Sequence, residues 1–353
     1  MSTIVKDSIT RMHDGQSLTE ANMMESMQAI MDGQVEEADL KAFLMALSKK
    51  GENVAEITGA ARILRQKTHT IKAPIDSVDC CGTGGDKSGT YNISTAVAIV
   101  AAACGVPIAK HGNRAASSKS GAADVLEALG VNLDLPGFAL EHALKQFRFA
   151  FLMAPNHHQS MRYIAPVRKD IGDRTIFNLL GPLANPAGTR RQLMGVFDEK
   201  WVMPMAETLK KLGTKRAWVV YGTDGLDEIS ISAPTKIAVL EEDIAIKEDT
   251  ITPDHFGLRT HNINDLKGGD AQQNAMALRA VLQGEIGAYR DIILANTAAV
   301  LSIHQSCNDL KDGVARAADA IDSGFAWQNF CDYIAYSRVA EDNVKDSIEG
   351  RNV

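Results

Sequence analysis

At about Ala73 the chain changes rhythm, and this change restricts it to a helical unit followed by an α/β unit. Upstream, apolar residues recur at helical spacing: Ala21, Met24, Met27 and Met31, then Leu40, Phe43, Leu44 and Leu47, then Ile57, Ala61 and Leu64. Ser17 with Glu20 three residues later reads as a capping box, Gly33 as a stop, and Asn53 with Glu56 as the opening of a third helix. The methionine stripe is helix core, because the unbranched side chain fills irregular gaps. Downstream, short apolar runs end in glycine and give way to helix-length segments, the texture of alternating strands and helices.

Strands are expected at 77–81, 107–109, 150–153, 193–196, 217–221 and 235–240. Helices are expected at 95–104, 121–129, 136–147, 202–212, 271–282, 289–304 and 310–323. The run DIGDRTIFNLLGPLANP interrupts the alternation, so a helical domain of residues 1–72, joined by about 166–186, should precede an α/β domain of 73–353.

Composition narrows the function. With 45% apolar and 23% charged residues the chain is an ordinary globular one. Its longest run without a charge or strongly polar group, Ala96 to Ala109, falls short of the roughly 18 residues a membrane helix needs. No membrane partner is expected, and the mixed polarity of MSTIVKDSIT points to the cytoplasm. Cys80, Cys81, Cys104, Cys307 and Cys331 lack metal-binding spacing and read as reduced core thiols. A net charge of −7 argues against a nucleic-acid partner. Yet Lys87 to Ala123 and His142 to Lys169 contain no acid, two basic stretches suited to a small anionic substrate.

Chemistry concentrates in three places. Gly82-Thr83-Gly84-Gly85-Asp86 follows a strand and is followed by Asn92-Ile93-Ser94-Thr95 at a helix start. Glycines let backbone approach an anion, and free amides at a helix N-terminus attract phosphate. The spacing matches neither a Rossmann fingerprint nor a P-loop. The second place is Lys110-His111-Gly112-Asn113-Arg114-Ala115-Ala116-Ser117-Ser118, where charge, hydroxyls and a flexible backbone also suit phosphates. The third is Asp227-Glu228 in GTDGLDEIS, a carboxylate pair of the kind magnesium takes alongside substrate phosphates. Asp224 with Gly225 reads as a turn. His157 and His158 are neighbours that cannot point together at one metal.

GTGGD, NIST, KHGNRAASS, APVRKDIG, FNLLGPLANP and GTDGLDE stand in an order that resembles the anthranilate phosphoribosyltransferase family, over about Ser17 to Ile334. The resemblance implies a small N-terminal helical domain plus a larger α/β domain with a central mixed sheet, in a homodimer. It implies transfer of phosphoribosyl from 5-phosphoribosyl 1-diphosphate to the amine of anthranilate, releasing diphosphate, in tryptophan biosynthesis. Carried over by position, it puts phosphoribosyl diphosphate on Gly82, Gly85, Asp86, Thr90, Asn92, Ile93, Ser94 and Thr95, and on Lys110, His111, Gly112, Asn113, Arg114, Ala115, Ala116, Ser117 and Ser118. Gly82, Asn113 and Arg168 would face anthranilate, with His111, His158 and Met161 along its path. Two Mg²⁺ ions would sit on Asp227 and Glu228 with help from Ser94. Lys110, Arg168, Asp227 and Glu228 would be the catalytic set.

Some features depart from the pattern or stay open. Ala122 stands where many members have Ser, so any phosphate contact by that hydroxyl is absent. GGDAQQNA near Gly268 resembles a late motif of the family to which no chemistry attaches. Pyrimidine nucleoside phosphorylases share the glycine loop but follow it with a different sequence where this chain has His111-Gly112-Asn113-Arg114. Judged from its neighbours alone, Arg168 could instead lie on a solvent-facing helix paired with Asp170.

Overall fold

The computed structural model describes residues 3–86, 88–115 and 119–349, the last ten by backbone alone. Four helices come first: α1 (Thr3–His13), α2 (Glu20–Met31), α3 (Glu37–Lys50) and α4 (Val54–Gln66). The expected box at Asn53 and Glu56 forms. Glu56 is fully buried, and its carboxylate also accepts the Leu18 amide at 2.8 Å and Lys50 Nζ at 2.9 Å. The box expected at Ser17 does not form. Thr19 caps α2 by accepting the Asn22 amide, while Glu20 is drawn sideways into an ion pair with Arg62 at 2.7 Å. Met27 and Met31 are buried as expected, but Met23 and Ile30 join them in place of exposed Ala21 and partly exposed Met24.

The α/β part alternates as expected: β1 (Val78–Gly82), α5 (Ile93–Ala103), β2 (Ile108–Gly112), α6 (Ala122–Ala128), α7 (Gly137–Gln146), β3 (Phe149–Met153), three short helices α8 (Ala154–His157), α9 (Ala165–Ile171) and α10 (Phe177–Leu180), then β4 (Arg191–Gly195), α11 (Val202–Lys211), β5 (Arg216–Gly222) and β6 (Thr235–Glu241). An additional strand, β7 (Lys247–Ile251), precedes α12 (Ala271–Leu282), α13 (Ala288–His304), α14 (Leu310–Asp322) and α15 (Phe325–Glu349).

The sheet runs β3-β2-β1-β4-β5-β6-β7, parallel through β5 and antiparallel beyond it, so it is mixed. Side-chain alternation splits its two faces. Leu193 and Val220 join one hydrophobic cluster with α5 and α13, whereas Met194 and Val219 join another. That second cluster holds the cores of α1 to α4 together with Ile164, Val167, Ile176, Phe177, Leu180 and Leu183, so the helical bundle continues onto one face of the sheet. Strand order reverses between β1 and β4, and open parallel sheets form their ligand crevice at the carboxyl ends beside such a switch point.

Candidate active site

Gly82 and Gly195 end β1 and β4 in register. A Cβ on either would collide with Asp227, so glycine at both strand ends opens the slot that Asp227 occupies. Asp227 Oδ2 accepts the Gly84 amide at 2.8 Å. Burial, proximity to Asp86 and a hydrogen bond with that second acid push the Asp227 carboxyl up to about 7, although the Gly84 amide opposes this. Burial and Asp227 raise Glu228 well above the usual carboxylate range, against the pull of Lys110 and the Ser94 amide.

The loop carrying this pair is braced from behind. Asp224 accepts hydrogen bonds from the Ser230 and Ser232 hydroxyls, and Gly225 turns at φ +98°. Fully buried Asn296 on α13 accepts the Ile229 amide and donates to the Ile229 carbonyl, both at 2.9 Å. Asn296 was not legible in the sequence, because α13 reads as an apolar helix.

Among the described residues no three His, Cys, Asp or Glu side chains form a ready-made metal cage. Magnesium does not need one, since it takes one or two carboxylates and leaves other positions to water and phosphate oxygens. Two crowded carboxylates whose protonation is favoured by the fold are a donor set that a hard cation would relieve. The residues fit the ion.

The glycine loop has Gly84 at φ +66° and Gly85 at φ +79°. Asp86 accepts the Ser88 amide at 3.3 Å, and Thr90 bridges to Lys267. Asn92 caps α5 without a side-chain bond to the helix. It instead donates to Ser120 O and accepts from Asn274 Nδ2 at 2.9 Å. Asn274 and Gly268 belong to GGDAQQNA, so that motif buttresses Asn92 and Thr90. A Cβ on Gly268 would press on Thr90 O. Ile93 and Thr95 are buried. Ile93 packs in the hydrophobic core, and Thr95 Oγ1 has no hydrogen-bond partner among the described residues.

Two basic residues are not where a phosphate cradle would need them. Lys110 is 1% exposed and donates to Cys80 O at 2.7 Å and Ser94 Oγ at 3.1 Å. It therefore underlies the cradle, because β2 points its side chain into the sheet's core. Arg114 forks onto Glu127 at 2.7 and 2.9 Å and reaches Asp124 at 3.2 Å, so α6 neutralises it. Asp124 also accepts the Ala115 and Gly121 amides, fixing the two ends of the segment between them. Lys87, Ala116, Ser117 and Ser118 lie outside the described residues.

Beside the glycine loop opens a cavity of about 600 Å³ lined by Gly82, His111, Gly112, Asn113, His158, Met161 and Arg168, among others. All six residues expected on the acceptor side are in this lining. Arg168 does not pair with Asp170, which bonds Lys41 at 2.5 Å. Its guanidinium lies 5.6 Å from the Phe177 ring centre, it has no acidic partner among the described residues, and burial lowers its pKa. Lys169 is exposed. An unpaired, half-buried arginine in a largely apolar cavity offers a planar fork of donors that suits a carboxylate.

His157 and His158 diverge, as adjacent residues should. His157 Nδ1 bonds His69 O at 2.7 Å, while His158 Nε2 meets His111 Nε2 at 3.1 Å. The Thr68 hydroxyl donates to Leu64 O, so its oxygen is left to accept from His158 Nδ1. His158 Nε2 then accepts from His111. Burial lowers His111 to about 3 and His158 to about 4, and the pair is neutral at physiological pH.

Known proteins match this chain in sequence and fold. Family models described as "Glycosyl transferase family, helical bundle domain" and "Glycosyl transferase family, a/b domain" match residues 6–68 and 75–327. The chain is 52% identical over 331 residues to an anthranilate phosphoribosyltransferase of Rhodospirillum rubrum, covering 94% of this chain and 95% of that one. A solved anthranilate phosphoribosyltransferase from Thermus thermophilus superposes with a TM-score of 0.88 at 40% identity, over 94% of this chain and 99% of the other. The Saccharomyces cerevisiae enzyme in complex with PRPP and Mg also gives 0.88, at 26% identity over 96% and 99%. With its glycine loop, paired acids and arginine-lined cavity set at the switch point of a mixed sheet, the chain belongs to the anthranilate phosphoribosyltransferase family.

Proposed function

We propose that this protein transfers the phosphoribosyl group of 5-phosphoribosyl 1-diphosphate to the amine of anthranilate, giving N-(5-phosphoribosyl)anthranilate and diphosphate in L-tryptophan biosynthesis. The observation that carries the reading is the shared wall at Gly82: the acceptor cavity holding Arg168 ends where the loop tied to Asp227 begins.

Breaking the C1–diphosphate bond leaves positive character on the sugar and negative charge on the leaving group. No acid, nucleophile or triad is required, because diphosphate leaves readily once its charge is met. The amides of Gly85 and Asp86 present donors to that charge, while the Gly84 amide is held by Asp227. Asp227 and Glu228, with Ser94, would hold two Mg²⁺ ions. Magnesium supplies positive charge to the diphosphate when bound. Lys110 acts from below, fixing the Ser94 hydroxyl and partly offsetting the charge of Glu228. On the other side Arg168 grips the anthranilate carboxylate with a planar fork and Asn113 adds a polar contact, aiming the neutral amine at C1. The neutral His111–His158 pair adds no cationic charge of its own to that cavity.

The reading includes a homodimer working in the cytoplasm. No helix among the described residues is long and apolar enough to cross a membrane. The test is to mix the purified protein with anthranilate, phosphoribosyl diphosphate and MgCl₂ and follow anthranilate fluorescence. A decay that requires all three additions supports the reading, and none over a range of Mg²⁺ concentrations overturns it.

A further inference from the structure

Arg174 belongs to neither the acceptor cavity nor the acidic pair, yet it touches the glycine loop directly. Its Nη2 donates to the Gly85 carbonyl, and its guanidinium lies 3.9 Å from the centre of the Phe197 ring. Phe197 is itself tied to the loop, since its amide donates to Thr83 Oγ1 at 3.1 Å while the Thr83 amide donates to Gly195 O at 2.9 Å. Loop, ring and guanidinium thus close a small circuit at the end of β4. Arg174 has no acidic partner among the described residues, so its only assigned side-chain acceptor is that loop carbonyl.

We infer that Arg174 is a positioning residue for the glycine loop. In a trans peptide the C=O of one residue and the N–H of the next point in opposite directions. Anchoring the Gly85 carbonyl on Arg174 therefore turns the Asp86 amide to the far side of that peptide plane. The preceding residue is held from another direction, through the Gly84 amide on Asp227. Two successive glycines at φ +66° and +79° have wide backbone freedom, so two anchors from different segments are what give this loop one shape. A Cβ on Gly85 would come within 3.4 Å of Arg174 Nε, which shows how closely the two are fitted.

Arg174 is well placed for the task. The Gly172 amide closes α9 onto Arg168 O at 3.1 Å, Asp173 Oδ1 accepts the Arg174 amide at 2.7 Å, and Ser48 of α3 donates to the Arg174 carbonyl at 3.4 Å. The segment that ends the Arg168 helix thereby also fixes the loop on the opposite side of the reaction centre.

The inference rests on the loop being the diphosphate site, and it is tested on the full-length protein with Mg²⁺ through Arg174→Ala, Arg174→Lys and Phe197→Leu. Arg174→Ala should raise the KM for phosphoribosyl diphosphate about tenfold, with anthranilate KM and kcat each within about threefold. Arg174→Lys should recover less than half of that loss, because lysine keeps the charge but lacks the planar fork and the stack. Phe197→Leu, which retains the backbone bond to Thr83, should shift the same KM in the same direction and carries the test if Arg174→Ala does not fold. Hydrogen exchange supplies an arm independent of activity: amides 84–86 should exchange faster in Arg174→Ala while α5 is unchanged. Unaltered loop exchange, full rescue by lysine, or equal losses for both substrates would overturn the role of Arg174. Wild-type protein that consumes no anthranilate would overturn the assigned reaction instead, and the exchange arm would still decide Arg174.

Discussion

Gly84 donates its amide to Asp227 Oδ2 at 2.8 Å, joining the phosphate loop to the acidic pair across 143 residues of sequence. The two motifs are one structural unit, and a change in either should be felt by the other.

The acidic pair should prove costly to the empty protein and necessary for turnover. Asp227 has a folded pKa of about 7, above its unfolded value near 3.9, so stability falls as pH rises between those values. Asp227→Asn should therefore melt at or above wild type at pH 8 without metal, with the difference vanishing below about pH 4. In the same variant, and in Glu228→Ala, kcat should fall by about a hundredfold or more. A variant with wild-type rates, or one that melts well below wild type at pH 8, would remove that residue from this role.

Gly85→Ala and Lys110→Ala should fail in different ways. Gly85 needs φ +79° and abuts Arg174, so alanine should strain the loop and weaken phosphoribosyl diphosphate binding about tenfold with little change in melting temperature. Lys110 is buried, and its loss leaves Cys80 O and Ser94 Oγ without their donor and the nearby acids without a cation. Lys110→Ala should cost about 2–4 kcal/mol of stability as well as activity. Calorimetric titration alongside denaturant melts checks both. Unchanged stability in Lys110→Ala would contradict its placement beneath the site.

Acid should loosen the acceptor cavity. His111 and His158 titrate near 3 and 4 when folded and near 6.5 when unfolded. The stability they contribute is complete above about pH 6.5 and is lost as pH falls toward 4. Replacing His158 with Asn should flatten the decline in melting temperature over that interval. Parallel wild-type and variant curves between pH 6.5 and 4 would show that the pair is not held neutral.

Acceptor recognition should depend on the shape of the cation. Arg168→Lys keeps the charge and loses the fork, so the anthranilate KM should rise about tenfold while that for phosphoribosyl diphosphate stays within about twofold. Exposed Lys169→Ala should change neither. Equal, small effects of both substitutions would mean another residue holds the carboxylate.

Much of this was legible because period and punctuation agreed. The buried faces at Leu40, Phe43, Leu44 and Leu47 and at Ile57, Ala61 and Leu64 follow helical spacing, and four of the expected strands end at a glycine, Gly82, Gly112, Gly195 and Gly222. The strand β7 was not expected because its sequence KEDTI carries charges on an exposed sheet edge, which erases the hydrophobic signal. Ser17 reads as a cap because the sequence does not reveal that Glu20 pairs with Arg62 on α4. At the site, motifs identified the residues but could not tell contact from support. Lys110 and Arg114 look alike as basic residues of one segment, and only the sheet and α6 decide that one is buried and the other neutralised. Arg174, Asn274 and Asn296 bond groups far away in sequence, Gly85 O, the Asn92 side chain and the Ile229 backbone, which composition and spacing do not encode.

The central claim is one transfer between two adjoining half-sites, and it is tested most directly by measuring diphosphate released and anthranilate consumed in the same Mg²⁺-containing reaction. One diphosphate should appear per anthranilate consumed, and almost none when anthranilate is left out. Release that proceeds equally without anthranilate, or anthranilate loss without diphosphate, would contradict it.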